Sequence, residues 1–251
     1  MCNRPAGSIL VLALMAASTA SAQDIRGAIW GGGEPQDGTE ASTAELATLL
    51  EQGAAVLDVR STKECAIAHI PGSRCMPGVV RGDGTYGDHI EQIVQVYPDR
   101  ATPLVLYCNG PFCGKSKRTA RSLAEKGYTH VRRYQLGLPV WRALGNTVQT
   151  DLEGLAYILR NDRTAVFVDT RAQDRVKAGT IPGAVNVRRG EAKAANEDGR
   201  LPHTDKGTRI VVFGDDVVEA RAVAAEVAQN AYWNSSYFGG NYDDIRRAEP
   251  W

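Results

Sequence analysis

The chain has 251 residues, 29 Lys+Arg against 29 Asp+Glu for a formal charge of zero, and 43% hydrophobic content. That is the balance of a globular protein, not of a disordered chain or of one that captures nucleic acid by charge. Length permits one large or two small domains, each able to bury its own core, and five cysteines are too few for a disulfide scaffold.

Residues 1–22 read as a cleavable secretory signal peptide. Arg4 gives a positive start, the apolar run from Ile9 to Ala17 is too short to span a bilayer, and Ala20-Ser21-Ala22 places small side chains at a cleavage site. Cys2 would leave with it. Removing Arg4 leaves 28 basic against 29 acidic residues, a mature charge of −1 that disfavours capture by anionic membranes or nucleic acid. The expected location is a periplasm, where oxidised cysteines persist. Residues 23–40, with Gly31-Gly32-Gly33 and Pro35, read as a flexible lead-in.

The remainder is an internal repeat. Ala55-Val-Leu-Asp-Val-Arg60 recurs as Val166-Phe-Val-Asp-Thr-Arg171, and Ile70-Pro71-Gly72 recurs as Ile181-Pro182-Gly183, all at an offset of 111 residues. Leu104-Val-Leu-Tyr107 matches Ile210-Val-Val-Phe213 further on. Asp, Arg, Ile, Pro and Gly held in one register indicate duplication, with one copy over 41–148 and the other over 149–251.

Each copy predicts the same elements. A helix (Ala44 to Gln52; Leu152 to Arg160) leads into an apolar run ending in Asp-x-Arg, which suits a strand buried on both faces. A short polar helix is stopped at Ile-Pro-Gly. A second buried strand ends at Tyr107 or Phe213, and a helix follows over Ser116 to Lys126 or Val218 to Gln229. Alternating strands and helices predict an α/β fold with a parallel sheet and helices on both faces. Ligands of such sheets bind at the carboxyl ends of strands, beside helix N-termini.

In the first copy that end carries Tyr107-Cys108-Asn109-Gly110-Pro111-Phe112-Cys113-Gly114-Lys115-Ser116. A cysteine leaving a buried strand into a Gly/Pro loop that feeds a helix meets backbone N–H groups that favour a thiolate and any anion attached to it. The alternative is a buried cysteine that merely closes the strand.

Asp58-Val-Arg60, Ala68-His69-Ile70-Pro71-Gly72, Cys108 at the head of its loop, the helix running from Ser116 to Gly127-Tyr128, and Gly137 with Trp141 together resemble the rhodanese sulfurtransferase domain. The resemblance covers about 41–148, and less fully 150–248. It implies two rhodanese-like domains, each a parallel sheet of about five strands. It also implies that Cys108 accepts sulfane sulfur from a small anion such as thiosulfate and passes it to cyanide, a thiol or a protein acceptor, with the main chain from Asn109 to Ser116 as anion cradle. Attack by the Cys108 thiolate would expel sulfite and leave a persulfide. No cofactor is called for, and four histidines without paired spacing give no zinc signature.

Departures from the family pattern matter. Six residues separate Cys108 from Lys115, where the family has four residues and then an arginine. The cradle should be wider, and lysine lacks the planar fork that binds an oxyanion bidentately. Cysteine phosphatases and arsenate reductases also use a longer loop but depend on an arginine missing here. Cys113 admits three readings: packing under the loop, a disulfide, or a thiol that resolves a persulfide or sulfenate on Cys108. The last two make the domain a thiol redox module or a carrier that does not turn over alone. Cys65 and Cys75 flank the Ile-Pro-Gly turn as a structural disulfide or as two buried thiols. Asp58 and Arg60 recur in the copy without cysteine and read as supporting scaffold, His69 reads as a turn histidine, and Trp141 reads as core.

In the second copy Gly214-Asp215-Asp216 replaces the cysteine and shortens the loop. This half is expected to be silent, its two acids being a solvated loop or, less in keeping with their ligand count, a cation site. Tyr232-Trp233, Tyr237-Phe238 and Trp251 are expected to pack this half or the contact between halves.

Overall fold

The computed structural model describes residues 40–80, 82, 86–87 and 89–248. The expected signal segment with Cys2, the lead-in up to residue 39, and Trp251 lie outside the described residues.

The first copy opens with helix α1 (Thr43–Glu51), started by a capping box in which Ser42 and Glu45 each satisfy the other's backbone N–H. Strand β1 (Ala55–Asp58) follows, and a second capping box, Ser61 with Glu64, starts α2 (Thr62–Ile67). Then come β2 (Arg74–Cys75), a small β3 (Val79–Val80) and β4 (Tyr86–Gly87) antiparallel pair, and α3 (Ile90–Val96). The half closes with β5 (Leu104–Tyr107), α4 (Gly114–Glu125), β6 (Val131–Tyr134) and α5 (Gly137–Ala143).

The second copy repeats the plan through β7 (Gln149–Thr150), α6 (Leu152–Asn161), β8 (Val166–Asp169), α7 (Gln173–Ala178), β9 (Val185–Asn186) and α8 (Ala192–Glu197). It ends with β10 (Ile210–Phe213), α9 (Val217–Gln229), β11 (Ser235–Phe238) and α10 (Tyr242–Ala248). All strand pairs in the two main sheets are parallel, in the orders β2-β1-β5-β6 and β7-β11-β10-β8-β9.

The two orders superpose once the first is extended by Glu40, which makes an isolated parallel bridge to Arg133 where the second sheet has β7. The sheets thus have four and five strands, in keeping with the about five expected of each domain, and the outermost position of the first is held by a single bridge.

Strand alternation places helices on both faces. In the first sheet Val56, Val105 and Tyr107 join Leu46, Ile70 and Trp141 on one side. Leu57, Leu104 and Leu106 join Val59, Leu123 and Cys108 on the other. The second sheet divides likewise, with Val168, Ile210 and Val212 facing α9 and Phe167, Val211 and Phe213 facing α6 and α10.

The halves lock where α2 crosses α6. The carbonyl of Ala66 accepts from Asp151 N at 2.8 Å, Thr150 Oγ1 donates to the Ile67 carbonyl at 2.9 Å, and His69 and Gln149 exchange backbone bonds, both at 2.9 Å. A Cβ on Gly154 would collide with the Ala66 carbonyl, so only glycine permits this crossing.

Candidate active site

Cys108 emerges at the carboxyl end of β5, an inner strand of its sheet, with Tyr107 paired to Asp58 and to Tyr134 on either side. The segment then turns sharply. Gly110 takes φ +103°, Cys113 N donates to the Gly110 carbonyl at 3.0 Å, and Cys113 stands at the cap position of α4 with no side-chain capping bond. Gly137, at φ +65°, backs onto the turn, and Leu138 N donates to the Cys108 carbonyl at 3.1 Å.

The expected free thiolate is not what the structure holds. Cys108 is disulfide-bonded to Cys113, with their Cα atoms 6.4 Å apart, inside the range that a disulfide bridges. Cys108 is buried at 1% exposure, its Sγ 3.3 Å from the Cys113 carbonyl oxygen, while Cys113 is only part-buried and Phe112 beside it is fully exposed. The physical reason is the loop itself: with Gly110 and Pro111 bending the chain, Cys113 is carried back over Cys108. Gly114, Lys115 and Ser116 form the first turn of α4, with Ser116 buried and Gly114 exposed. The other cysteine pair, Cys65 and Cys75, is also bonded, with Cα atoms 6.2 Å apart, across the Ile-Pro-Gly turn.

Asp58 and Arg60 lie beneath this loop. Arg60 Nε donates to Asp58 Oδ1 at 2.9 Å, and Nη2 reaches Asp58 Oδ2 and the Ala68 carbonyl, each at 2.5 Å. Tyr107 OH donates to the same Asp58 Oδ2 at 2.8 Å and accepts from Ile70 N at 3.0 Å. Burial and the Asp58 charge push the Tyr107 phenol well above its ordinary pKa. From this buried core Arg60 Nη1 extends to Asn109 Oδ1 at 3.5 Å, and Asn109 Nδ2 donates to Glu64 Oε1. Burial tends to raise the Glu64 pKa, yet hydrogen bonds from Ser61 and Asn109 and the Arg60 charge outweigh it and bring the carboxyl down to about 2. Asn109, the first residue after Cys108, is thus anchored from two sides, a link that sequence spacing does not disclose.

His69 is buried, its Nδ1 donating to the Cys65 carbonyl at 3.0 Å. Trp141 packs edge-on to Tyr134 and donates Nε1–H to the Thr147 carbonyl at 2.9 Å.

The second copy keeps the scaffold and loses the site. Arg171 pairs with Asp169 at 2.8 Å and donates to the Gly179 carbonyl at 2.6 Å. Phe213 lacks a hydroxyl, and Thr180 Oγ1, which stands where the first copy has His69, donates to Asp169 Oδ2 at 2.6 Å instead. Asn186, in the place of Cys75, donates to the backbone carbonyls of Asp169 and Arg171 at 2.7 and 2.9 Å. Asp215 pairs with Arg175 at 3.0 Å and Asp216 caps α9 by accepting from Val218 N at 2.8 Å, so both acids have structural partners. No group of three metal-ligating side chains is present among the described residues.

One expectation is corrected here. Tyr232, Tyr237 and Phe238 are buried, but Trp233 is 51% exposed. It precedes β11 in a turn where Ala231 takes φ +69°.

The rhodanese-like domain family matches the chain twice, over residues 42–144 and 154–248. Among solved structures, the chain is similar to thiosulfate sulfurtransferase from Pseudomonas aeruginosa at 20% identity and a TM-score of 0.35, covering 82% of this chain and 42% of that one. It therefore spans less than half the length of that protein. It is similar also to the 3-mercaptopyruvate sulfotransferase SseA from Escherichia coli, at 16% identity and a TM-score of 0.37, covering 81% of this chain and 98% of that one. A third likeness is to BH2092 from Bacillus halodurans, at 24% identity and a TM-score of 0.36, covering 44% of this chain and 76% of that one. No curated protein matches the chain.

Proposed function

The chain belongs to the rhodanese-like domain family, matched over most of its length, and on that premise we propose that its first half moves sulfane sulfur through a persulfide on Cys108. The observation that carries the reading is the position of Cys108. It leaves the carboxyl end of β5 and is held against the residue that caps α4, where N–H groups of the first helical turn favour sulfur anions. In the reaction the Cys108 thiolate attacks the outer sulfur of a donor such as thiosulfate, and the S–S bond of the donor breaks with its electron pair leaving on sulfite. A thiol, cyanide or a protein acceptor then takes the outer sulfur, giving two half-reactions. The second half is silent.

The Cys108–Cys113 disulfide favours a second reading, a thiol redox module or a carrier that does not turn over alone. Under either reading the disulfide must open before Cys108 can take sulfur. The test is thiocyanate formation from thiosulfate and cyanide by the fully reduced chain, compared with Cys108→Ser. Activity lost in the variant supports transfer. A persulfide on Cys108 by mass spectrometry without turnover supports the carrier, and neither one overturns both. Residues 1–22 are further proposed to direct export to the periplasm and to be removed, which N-terminal sequencing of the expressed mature chain tests.

A further inference from the structure

We propose that the Cys108–Cys113 disulfide is a thiol–disulfide exchange site at which an external anionic thiolate attacks Cys113, not Cys108. This rests on the reading of the Cys108 loop as the reactive site and deepens it by naming the sulfur that meets the outside and the charge of what reaches it.

Three observations converge. The two sulfurs differ in access, because Cys108 is buried at 1% exposure and Cys113 is part-buried on the loop. Phe112 is fully exposed, so its ring turns outward and does not cover Cys113. The helix that Cys113 caps begins Gly-Lys-Ser-Lys-Arg, has no acidic residue in its first turn, and exposes Lys117, Arg118 and Arg121. The carboxylates of Asp58 and Glu64 are engaged, the first by Arg60 and the second by Ser61 and Asn109. Cations at a helix N-terminus oppose the helix dipole, and the exposed Lys117, Arg118 and Arg121 raise the local concentration of an anion.

Exchange follows from this asymmetry. The thiolate of the external thiol forms a bond to Cys113 Sγ as the Cys108–Cys113 bond breaks, and the electron pair leaves on Cys108, which becomes a thiolate. A second external thiolate then attacks the outer sulfur of the mixed disulfide and releases Cys113 as thiolate, so two thiols are oxidised to a disulfide while the protein gains two electrons. Access decides which sulfur is attacked in such an exchange, and it favours the part-buried Cys113 over the buried Cys108. The freed Cys108 is the sulfur that the proposed transfer uses.

The experiment treats the oxidised chain with reduced glutathione, quenches with acid at intervals, and locates the adduct by fragmentation of the peptide holding both cysteines. The expected result is glutathione on Cys113; an adduct on Cys108 overturns the assignment. With oxidised glutathione, the reduced Cys108→Ser chain should be modified at least about tenfold faster than the reduced Cys113→Ser chain, since accessible thiolate sets the rate. Equal rates would overturn the assignment. Salt tests the charge argument, because screening weakens attraction and repulsion alike. Opening by glutathione should slow as salt is added and opening by the cationic thiol cysteamine should quicken, with Lys117→Glu/Arg118→Glu removing the contrast. The same response for both thiols sinks the anionic preference. Thiocyanate formation by the reduced chain reads the transfer function separately. An adduct on Cys113 without turnover or persulfide leaves the exchange site standing and removes the transfer reading, and the reverse pattern does the opposite.

Discussion

Gly137 presses its α-carbon against the backbone of Cys108: a Cβ there would collide with the Cys108 carbonyl oxygen and the Gly110 amide nitrogen, and would lie 3.0 Å from the Gly110 Cα. Gly137 also holds φ +65°, a conformation that costs an L residue about 1 kcal/mol before any clash. The loop that presents Cys108 is thus shaped from behind by the start of α5. Gly137→Ala should displace the Cys108 turn, lowering sulfur transfer by the reduced chain at least about tenfold, since a misplacement of about 1 Å can cost more than that. Stability should fall by about 2 kcal/mol. Unchanged thiocyanate turnover would show that the turn tolerates the shift.

The second half lacks more than a thiol at the position that matches Cys108. A Cβ on Gly214 would collide with Thr170 Oγ1, and Thr170 stands where the first half has Val59. Thr170 Oγ1 also donates to the Phe213 carbonyl at 3.2 Å. Gly214→Cys should therefore destabilise the chain and load no sulfur in a Cys108→Ser background. A persulfide at residue 214 would contradict this.

The buried Asp is satisfied differently in the two halves. Tyr107 OH serves Asp58, and Thr180 Oγ1 serves Asp169. Tyr107→Phe should cost about 1–2 kcal/mol, because it removes a donor from a buried carboxylate. Adding His69→Thr should supply the second half's donor and recover part of the loss, a coupling of at least about 0.5 kcal/mol in a denaturant double-mutant cycle. Additive losses would mean that the introduced hydroxyl does not reach Asp58.

Gly154 tests the seam between halves. Its Cβ would collide with the Ala66 carbonyl, which already accepts from Asp151 N. Gly154→Ala should push α6 from α2 and cost about 2–3 kcal/mol through overpacking, separating the urea transition of one half from that of the other. A single transition at the wild-type midpoint would show that the seam adapts.

These relationships mark where the sequence is legible and where it is not. The Asp-x-Arg strand ends and the Ile-Pro-Gly turns carry local patterns, so both copies and their parallel sheets could be read directly, with helix starts misplaced by two residues or fewer: α4 begins at Gly114 rather than Ser116. The outer position of the first sheet is a single Glu40–Arg133 bridge, too short to leave a hydrophobic period. Gly137, Gly154 and Thr170 matter through atoms distant in sequence, which no local pattern encodes. Cysteine pairing depends on Cα separation and direction, and spacing alone leaves it open.

The anchor of Asn109 should fail in acid. Glu64 falls from an ordinary pKa of 4.5 to about 2 in the folded chain, where burial is outweighed by hydrogen bonds from Ser61 and Asn109 and by the Arg60 charge. A carboxylate with a depressed folded pKa adds stability that is complete above its unfolded pKa and is lost as pH falls through the folded value. The contribution should therefore be full above pH 4.5 and gone near pH 2. Because Glu64 is only part-buried, solvent screening limits it to about 1 kcal/mol. Glu64→Gln keeps one oxygen, so it can accept from Ser61 or from Asn109 but not from both, which use different carboxyl oxygens, and it loses the charge facing Arg60. Its urea midpoint should lie below wild type at pH 7 and converge with it as pH drops between those two values. A gap that stays constant down to pH 2 would trace the loss to packing and to the acceptor given up, and remove charge from the account of how the residue after Cys108 is held.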